Sequence, residues 1–273
     1  DTVNDAKQER TLSTIRTSAT TGYYFDMFRS KSNNTNNYHD YIYHNIGDRT
    51  LMTNDSGKEL TVQPTDRYQN DIGDVVKSPG WRYFENTKTT KKTAKGVKVR
   101  FDIEYDDRYM HLLIPKGNKR EYTKALTPHT REAKNGYIDK KTQVLAIRQQ
   151  GEAWANPFVV VFEPSLKKNP SIKSVEPLEG KDKTVGAIIT SKVGYAVITD
   201  YIINQDNDDA VYENKKLGLS FQGRFAIVRT TIENEKTDIT LYIGDGKKLV
   251  FRTKELITTN KASAILNYNS KQL

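Results

Sequence analysis

The chain has 273 residues, 36% of them hydrophobic and 28% charged, with 43 Lys and Arg against 34 Asp and Glu for a net charge of +9. That is enough polymer for one large all-β unit or two smaller cored ones, and its order is not that of a disordered chain. It has no cysteine, which excludes disulfides and thiolate metal sites, and no apolar run long enough to cross a membrane as a helix.

The positive excess attracts polyanions, whether nucleic acid, anionic lipid or acidic polysaccharide, or it serves only to keep the protein soluble. No recognisable RNA- or DNA-binding motif accompanies it, so no nucleic-acid partner is assigned. Asp1–Arg10 lacks the basic-then-apolar pattern of a signal peptide.

In chain order, Arg10–Ser18 (RTLSTIRTS) has β-branched residues and no helical stripe, and reads as a strand entering from a preceding part of a larger structure. Gly22–Asp48 is the densest cluster of aromatic and histidine side chains, with His39 and His44 two of only four histidines. Two strands are predicted here, Gly22–Arg29 and Tyr38–Asn45, joined by a Ser/Asn loop. Side chains alternate along a strand, so His39, Tyr41 and Tyr43 face one way and Tyr38, Asp40, Ile42 and His44 the other. Arg49–Asp74 reads as turns around short strands, and Ser78-Pro79-Gly80 as a turn leading into Trp81, Tyr83 and Phe84. The Lys/Thr-rich Thr87–Lys98 reads as an exposed hairpin tip or mobile loop.

Val97–Tyr105 alternates apolar and charged residues without a break, the pattern of an antiparallel strand with one face on a core. Arg108–Pro115 is its expected partner, and Lys116–Lys141 reads as a polar loop. Val144–Arg148 and Pro157–Glu163 read as buried strands interrupted by Gly151–Asn156, with Pro157 at a strand start where no ladder donor is needed. Val185–Thr190 and Tyr195–Asn204 pair around Gly194. In Leu217–Arg229 the alternation turns Leu217, Leu219, Phe221, Phe225 and Ile227 to one side. Ile239–Ile243 and Lys248–Arg252 flank Gly244-Asp245-Gly246-Lys247, a hairpin signal. It is not a phosphate-binding loop, because the Walker spacing and following helix are missing. Ala262–Asn267 is a last short strand. Regularly spaced strands without an amphipathic helix predict an all-β, large antiparallel sandwich. The main sandwich is placed at 1–180 and a C-terminal set of strands or subdomain at 181–273.

Three ordered blocks carry a resemblance. Asp26, Phe28 and Arg29 followed by His39, Asp40, Tyr41 and His44 match a strand ending in Asp-x-Phe-Arg and then His-Asp-Tyr-x-x-His. Val144–Pro164 (VLAIRQQGEAWANPFVVVFEP) and FQGRFAIVR with LYIGDGKKL complete the set. Together they resemble the β portion of the heparinase II/III-like polysaccharide lyases and their alginate-lyase relatives. The resemblance implies a supersandwich-like scaffold in a bacterial, periplasmic or secreted enzyme that degrades glycosaminoglycan or alginate. Such enzymes cleave uronate-containing polysaccharide by β-elimination. It also implies an N-terminal helical α/α-toroid as partner. Tyr and His of that toroid do much of the proton chemistry, and a zinc site belongs to the family. Neither the toroid nor the His-rich zinc segment is matched in this chain, so no catalytic or metal residue is carried over.

The candidate substrate-binding residues are therefore His39, His44, Tyr41, Arg29, Trp81 and Trp154. His39 and His44 fall on opposite faces of a strand, which argues against joint chelation of a metal. Either they are hydrogen-bonded members of an aromatic cluster or one lines a glycan cleft. Trp81 and Trp154 offer flat faces for sugar rings or fill a core. Arg29 could pair with a uronate carboxylate, or with Asp26 or Asp40. Gln205–Asp209 gathers acidic oxygens of the kind calcium takes, but the loop pattern with a central glycine and distal Glu is absent, and no metal is assigned. The alternative to a lyase portion is a stand-alone carbohydrate-binding or structural sandwich.

Overall fold

The computed structural model describes residues 6–33, 37–66, 68, 80–130, 136–259 and 263–269. Three antiparallel sheets account for the fold. The first has six strands in the order β1 (Ala6–Arg16), β2 (Gly22–Ser32), β11 (Ala153–Ser165), β8 (Arg108–Ile114), β7 (Val97–Ile103), β4 (Arg49–Asn54). The second has five: β3 (Tyr38–Asn45), β10 (Thr142–Gln150), β9 (Arg120–Thr127), β6 (Glu85–Thr90) and β5 (Val62–Pro64). The third follows β12 (Ile172–Glu179), β13 (Thr184–Val193), β14 (Ala196–Asn204), β16 (Leu219–Glu233), β17 (Lys236–Phe251) and β18 (Lys254–Ile257). To it β15 (Val211–Asn214) and β19 (Ala264–Tyr268) add short pairings. The expected all-β sandwich class is what the chain adopts.

The contacts divide the chain into two compact units. Unit 1 comprises Asp1–Glu9, Phe28–Trp154 and Phe162–Asn169; unit 2 comprises Arg10–Met27, Ala155–Val161 and Pro170–Leu273. In unit 1 the inward side of β3 meets the six-stranded sheet: Tyr43 packs on Phe101 at 5.5 Å and Phe162 at 4.9 Å between ring centroids. In unit 2 the third sheet encloses its own core, with Phe221, Val228, Leu241 and Phe251 fully buried together. A second fixed point of unit 2 is polar. The Tyr23 hydroxyl donates to Asp200 at 2.6 Å, and Arg229 donates to both oxygens of the same carboxylate at 2.6 and 2.8 Å.

Several strands depart from the sequence-based expectation. Thr87–Lys98 is not a hairpin tip; most of its first half lies in β6, where Thr87 and Thr90 are buried while Lys88 is exposed. Thr87 and Thr90 are three residues apart and so lie on opposite sides of the strand, both buried. The expected loop Lys116–Lys141 contains β9, a central strand whose polar side chains are buried because partners meet them: Arg120 Nε donates to Gln149 Oε1 at 2.9 Å. The connection between Pro164 and Pro177 contains β12, an edge strand, the position that tolerates Pro177. Pro157 lies inside β11 rather than at its start, and only Gly151 and Glu152 separate β10 from β11. The alternation of β7 ends at Ile103 in a short 3-10 turn, leaving Tyr105 exposed and Asp102 buried against Arg100 and Arg49. Ser78 and Pro79 of the predicted turn lie outside the described residues; Gly80–Tyr83 forms a 3-10 turn.

The largest correction concerns the glycines near 223 and 246. Gly244–Lys247 is no hairpin: β17 runs straight through it, and the β16–β17 turn falls at Asn234 and Glu235, both with positive φ (50° and 64°). Gly223 instead sits opposite Gly246 in a bulge, where a Cβ on Gly223 (φ 141°) would lie 2.3 Å from the Gly246 Cα. The bulge shifts the register, so Leu219 and Phe221 point into the core before it and Ala226 and Val228 after it. Phe225 and Ile227, expected inside, are only half-buried.

Candidate functional site

Among the described strands β3 is an edge strand paired with β10, with Tyr38 opposite Gln150, His39 opposite Gln149 and Asp40 opposite Arg148. Arg148 Nε and Nη2 each donate to an Asp40 oxygen at 2.8 Å, a forked ion pair with both side chains 8% exposed. The guanidinium also lies 3.6 Å from the Tyr38 ring centroid and 4.6 Å from that of Tyr68. Burial works against its charge, but the hydrogen bonds and charge of Asp40 outweigh it and hold the Arg148 pKa above the ordinary value. The pair thus rivets the edge strand to its neighbour.

Along β3 the side chains alternate as expected. Tyr41 is buried edge-on to Phe28 at 6.4 Å, and Tyr43 joins the sandwich core. His39 is also buried, its Nδ1 2.8 Å from Ser30 Oγ. Desolvation lowers its pKa, against the smaller opposing fields of Asp40 and Glu152, so the ring is neutral near neutral pH. His44 lies on the other side, exposed, with its pKa also lowered by desolvation.

Two clefts open along this edge. One, of ≈ 300 Å³, is lined by Phe28, Ser30, Asn37, Tyr38, His39 and Trp81 among others. The second, of ≈ 480 Å³, is more apolar and is lined by Ile42, His44, Trp81, Tyr83, Phe84 and Pro128. Trp81 belongs to both and is held from beneath by Tyr68 and Phe84, each 5.5 Å away between centroids. The arrangement offers an aromatic platform between a cleft with a neutral imidazole and phenol and a cleft with an exposed histidine.

Of the six candidate residues, His39, His44 and Trp81 therefore meet along adjoining clefts. Tyr41 and Arg29 are interior. Arg29 Nη1 donates to the Trp154 carbonyl at 2.7 Å, and its Nε lies 3.8 Å from Glu9; the partners expected from sequence were Asp26 and Asp40. Those two are taken by Arg10 and Arg148. Trp154 lines neither cleft and has the ammonium groups of Lys7 and Lys31 at 4.3 and 5.1 Å from its ring centroid. Tyr38, Ser30 and the Asp40–Arg148 pair were not singled out as site residues from sequence. Tyr38 lay within the aromatic cluster, but the pairing of Arg148 with Asp40 depends on strand register that one sequence does not display.

Among the described residues no three His, Asp or Glu side chains gather as a metal site. The zinc implied by the heparinase II/III-like resemblance thus finds no fitting set there. The acidic loop after Gln205 is neutralised by cations instead. Lys183 meets Asp206 at 2.5 Å, Arg224 meets Asp208 at 3.4 Å and Lys247 meets Asp209 at 3.3 Å.

Comparison with known proteins supplies the class that the clefts alone do not. Residues 172–268 match the endo-acting ulvan lyase C-terminal domain. Over 264 residues, 97% of the chain, the sequence is 56% identical to an endo-acting ulvan lyase of Formosa agariphila. The match spans 32% of that protein, so the chain corresponds to about a third of its length. The two comparisons agree on a polysaccharide lyase domain, and the likeness they report is to ulvan lyase. The 264-residue match is long enough that it must include most of unit 1 as well as the C-terminal strands.

Proposed function

We propose that this chain is the cleft-bearing part of a polysaccharide lyase that cleaves uronate-containing polysaccharide of the ulvan type by β-elimination. The observation that carries this is the 56% identity over nearly the whole chain to an enzyme of that name. β-Elimination needs a base for the proton beside the uronate carboxylate, stabilisation of the charge that develops there, and an acid for the departing glycosidic oxygen. The cleft beneath Trp81 supplies groups of the first and third kinds. His39 is kept neutral by burial and oriented by Ser30, and so can accept a proton. Tyr38 lines the same cleft and its phenol can donate one, and Trp81 gives a sugar ring a flat face.

A second reading follows from the match to only 32% of the relative. Here the proton chemistry lies in another part of a longer lyase, in the form of the helical toroid and zinc that the heparinase II/III-like resemblance suggests, and this chain buttresses the cleft. A stand-alone carbohydrate-binding module is its limiting case. Either way, a polymeric substrate too large to cross a membrane supports the reading of a secreted or periplasmic protein.

Incubation of the chain with ulvan, following the ultraviolet absorbance of the unsaturated product, tests the reading. Product that disappears in His39→Gln supports the first form. Binding without product, with turnover only in a longer protein, supports the second. Failure to bind or cleave any uronate polymer overturns both.

A further inference from the structure

We infer that unit 1 carries a second anion-recognising sugar site, built on Trp154, on the face of the β1–β2 pair opposite the Trp81 cleft. Ala6 and Gln8 of β1 and Phe28, Ser30 and Ser32 of β2 line the Trp81 cleft. Strand side chains alternate, so Lys7, Glu9, Arg29 and Lys31 project from the other side. There Trp154, at the start of the adjacent strand β11, is half-buried.

Lys7 and Lys31 hold their ammonium groups 4.3 and 5.1 Å from the Trp154 ring centroid. Both lysines are exposed, and neither has a carboxylate within ion-pair distance among the described residues. Beneath them Arg29 is fully buried, donates to the Trp154 carbonyl at 2.7 Å and lies 3.8 Å from Glu9. The Trp154 amide is held in turn by Glu152 at 2.5 Å. The backbone of the tryptophan is therefore fixed from two sides while two uncommitted ammonium groups stand over its ring.

An exposed lysine–indole contact is weak and is given up at little cost. An incoming pyranose can take the ring face while both lysines turn to an anionic substituent. Lysine is a compact point charge with three rotatable donors, so two of them can close on different oxygens of a tetrahedral sulfate ester without the planar fork that a bidentate carboxylate contact uses. The site is thus assigned to a sulfated sugar unit of the polymer. It rests on the lyase reading for the polymer class, and it would hold a chain outside the cleft that engages the uronate.

The test is the affinity of the wild-type chain and of Lys7→Ala/Lys31→Ala for ulvan and for chemically desulfated ulvan, at low ionic strength. Both lysines are exposed, so the double variant folds. Expected is a roughly tenfold loss for the sulfated polymer, about threefold per exposed charge, and no loss for the desulfated one. Trp81→Ala should keep the same lysine dependence. Unchanged affinity of the double variant for sulfated polymer, or an equal loss on both polymers, overturns the site. If the wild type still forms product in that case, the lyase reading stands without it; if the wild type binds neither polymer, both fall.

Discussion

Replacing Arg148 with alanine tests whether the edge of the candidate site is held by one ion pair. The substitution leaves the Asp40 carboxylate, 8% exposed, without its forked partner, and removes the cation stacked on Tyr38 and Tyr68. Breaking a buried pair from one side costs about 3–5 kcal/mol. For a unit of this size each kcal/mol lowers the midpoint by roughly 2–4 °C, so a fall of about 6–20 °C is expected. The assay is unusually local. The chain has 2 tryptophans, Trp81 and Trp154, and both lie in unit 1, so tryptophan fluorescence in urea reports that unit. Because the charges are coupled, Arg148→Ala/Asp40→Ala should lose less than the sum of the single losses. Arg148→Lys keeps the charge but not the fork and should fall between. A loss under about 1 kcal/mol in Arg148→Ala, the size expected of an exposed pair, would refute the reasoning.

Other outcomes are expected. Trp81→Ala should weaken binding of a uronate polymer about tenfold, corresponding to loss of one aromatic stacking contact, with affinity electrophoresis as the check. His39 and His111 both have lowered pKa values, with burial the leading cause. Their neutral forms are favoured on folding, so stability is complete above the unfolded value of about 6.5 and falls as pH drops below it. His39→Gln should flatten part of that decline in a midpoint-versus-pH series, and an unchanged slope would show that His39 is not the group responsible. Gly223→Ala should destabilise unit 2 by about 1–3 kcal/mol through the clash with Gly246, seen by circular dichroism with the fluorescence transition of unit 1 as reference. Added calcium should leave unit 2 unshifted, because the carboxylates after Gln205 already have cationic partners; a rise in its midpoint would refute that assignment.

What was legible in the sequence was periodicity, and what was hidden was pairing. The bounds of Tyr38–Asn45 and the opposite facing of His39 and His44 followed from alternation alone. β9 escaped because Arg120, Glu121 and Thr123 read as surface, although each is buried at the centre of a sheet. The Gly244–Lys247 segment carries a strong turn signal, but its glycines serve the close approach of two strands at a bulge rather than a reversal. At the candidate site, composition pointed to Trp81 and the histidines. It could not show that Arg29 is spent inside the fold, or that Arg148, over a hundred residues from Asp40, closes on it. Both facts are set by strand register.

The same distinction explains where the net charge goes. The buried carboxylates Asp26, Asp102 and Asp200 are each met by arginine, through Arg10, Arg49 with Arg100, and Arg229. Asp40 is met by Arg148. At these four carboxylates arginine is the partner, its fork reaching the buried oxygens, and those charges cancel locally. Lys7, Lys31, Lys91, Lys92 and Lys95 are exposed and have no carboxylate partner among the described residues. The long-range positive field is thus carried by these lysines together with exposed arginines such as Arg16, Arg82, Arg108 and Arg252, and it sits in solvent where salt screens it. Polymer binding should accordingly weaken steeply between low salt and about 0.15 M, while the urea midpoint of unit 1, set by buried arginine pairs, should move little. Equal sensitivity of both would mean that the buried pairs are wetter than their geometry implies. Salt-independent binding would mean that the positive excess does not contribute to holding the polymer.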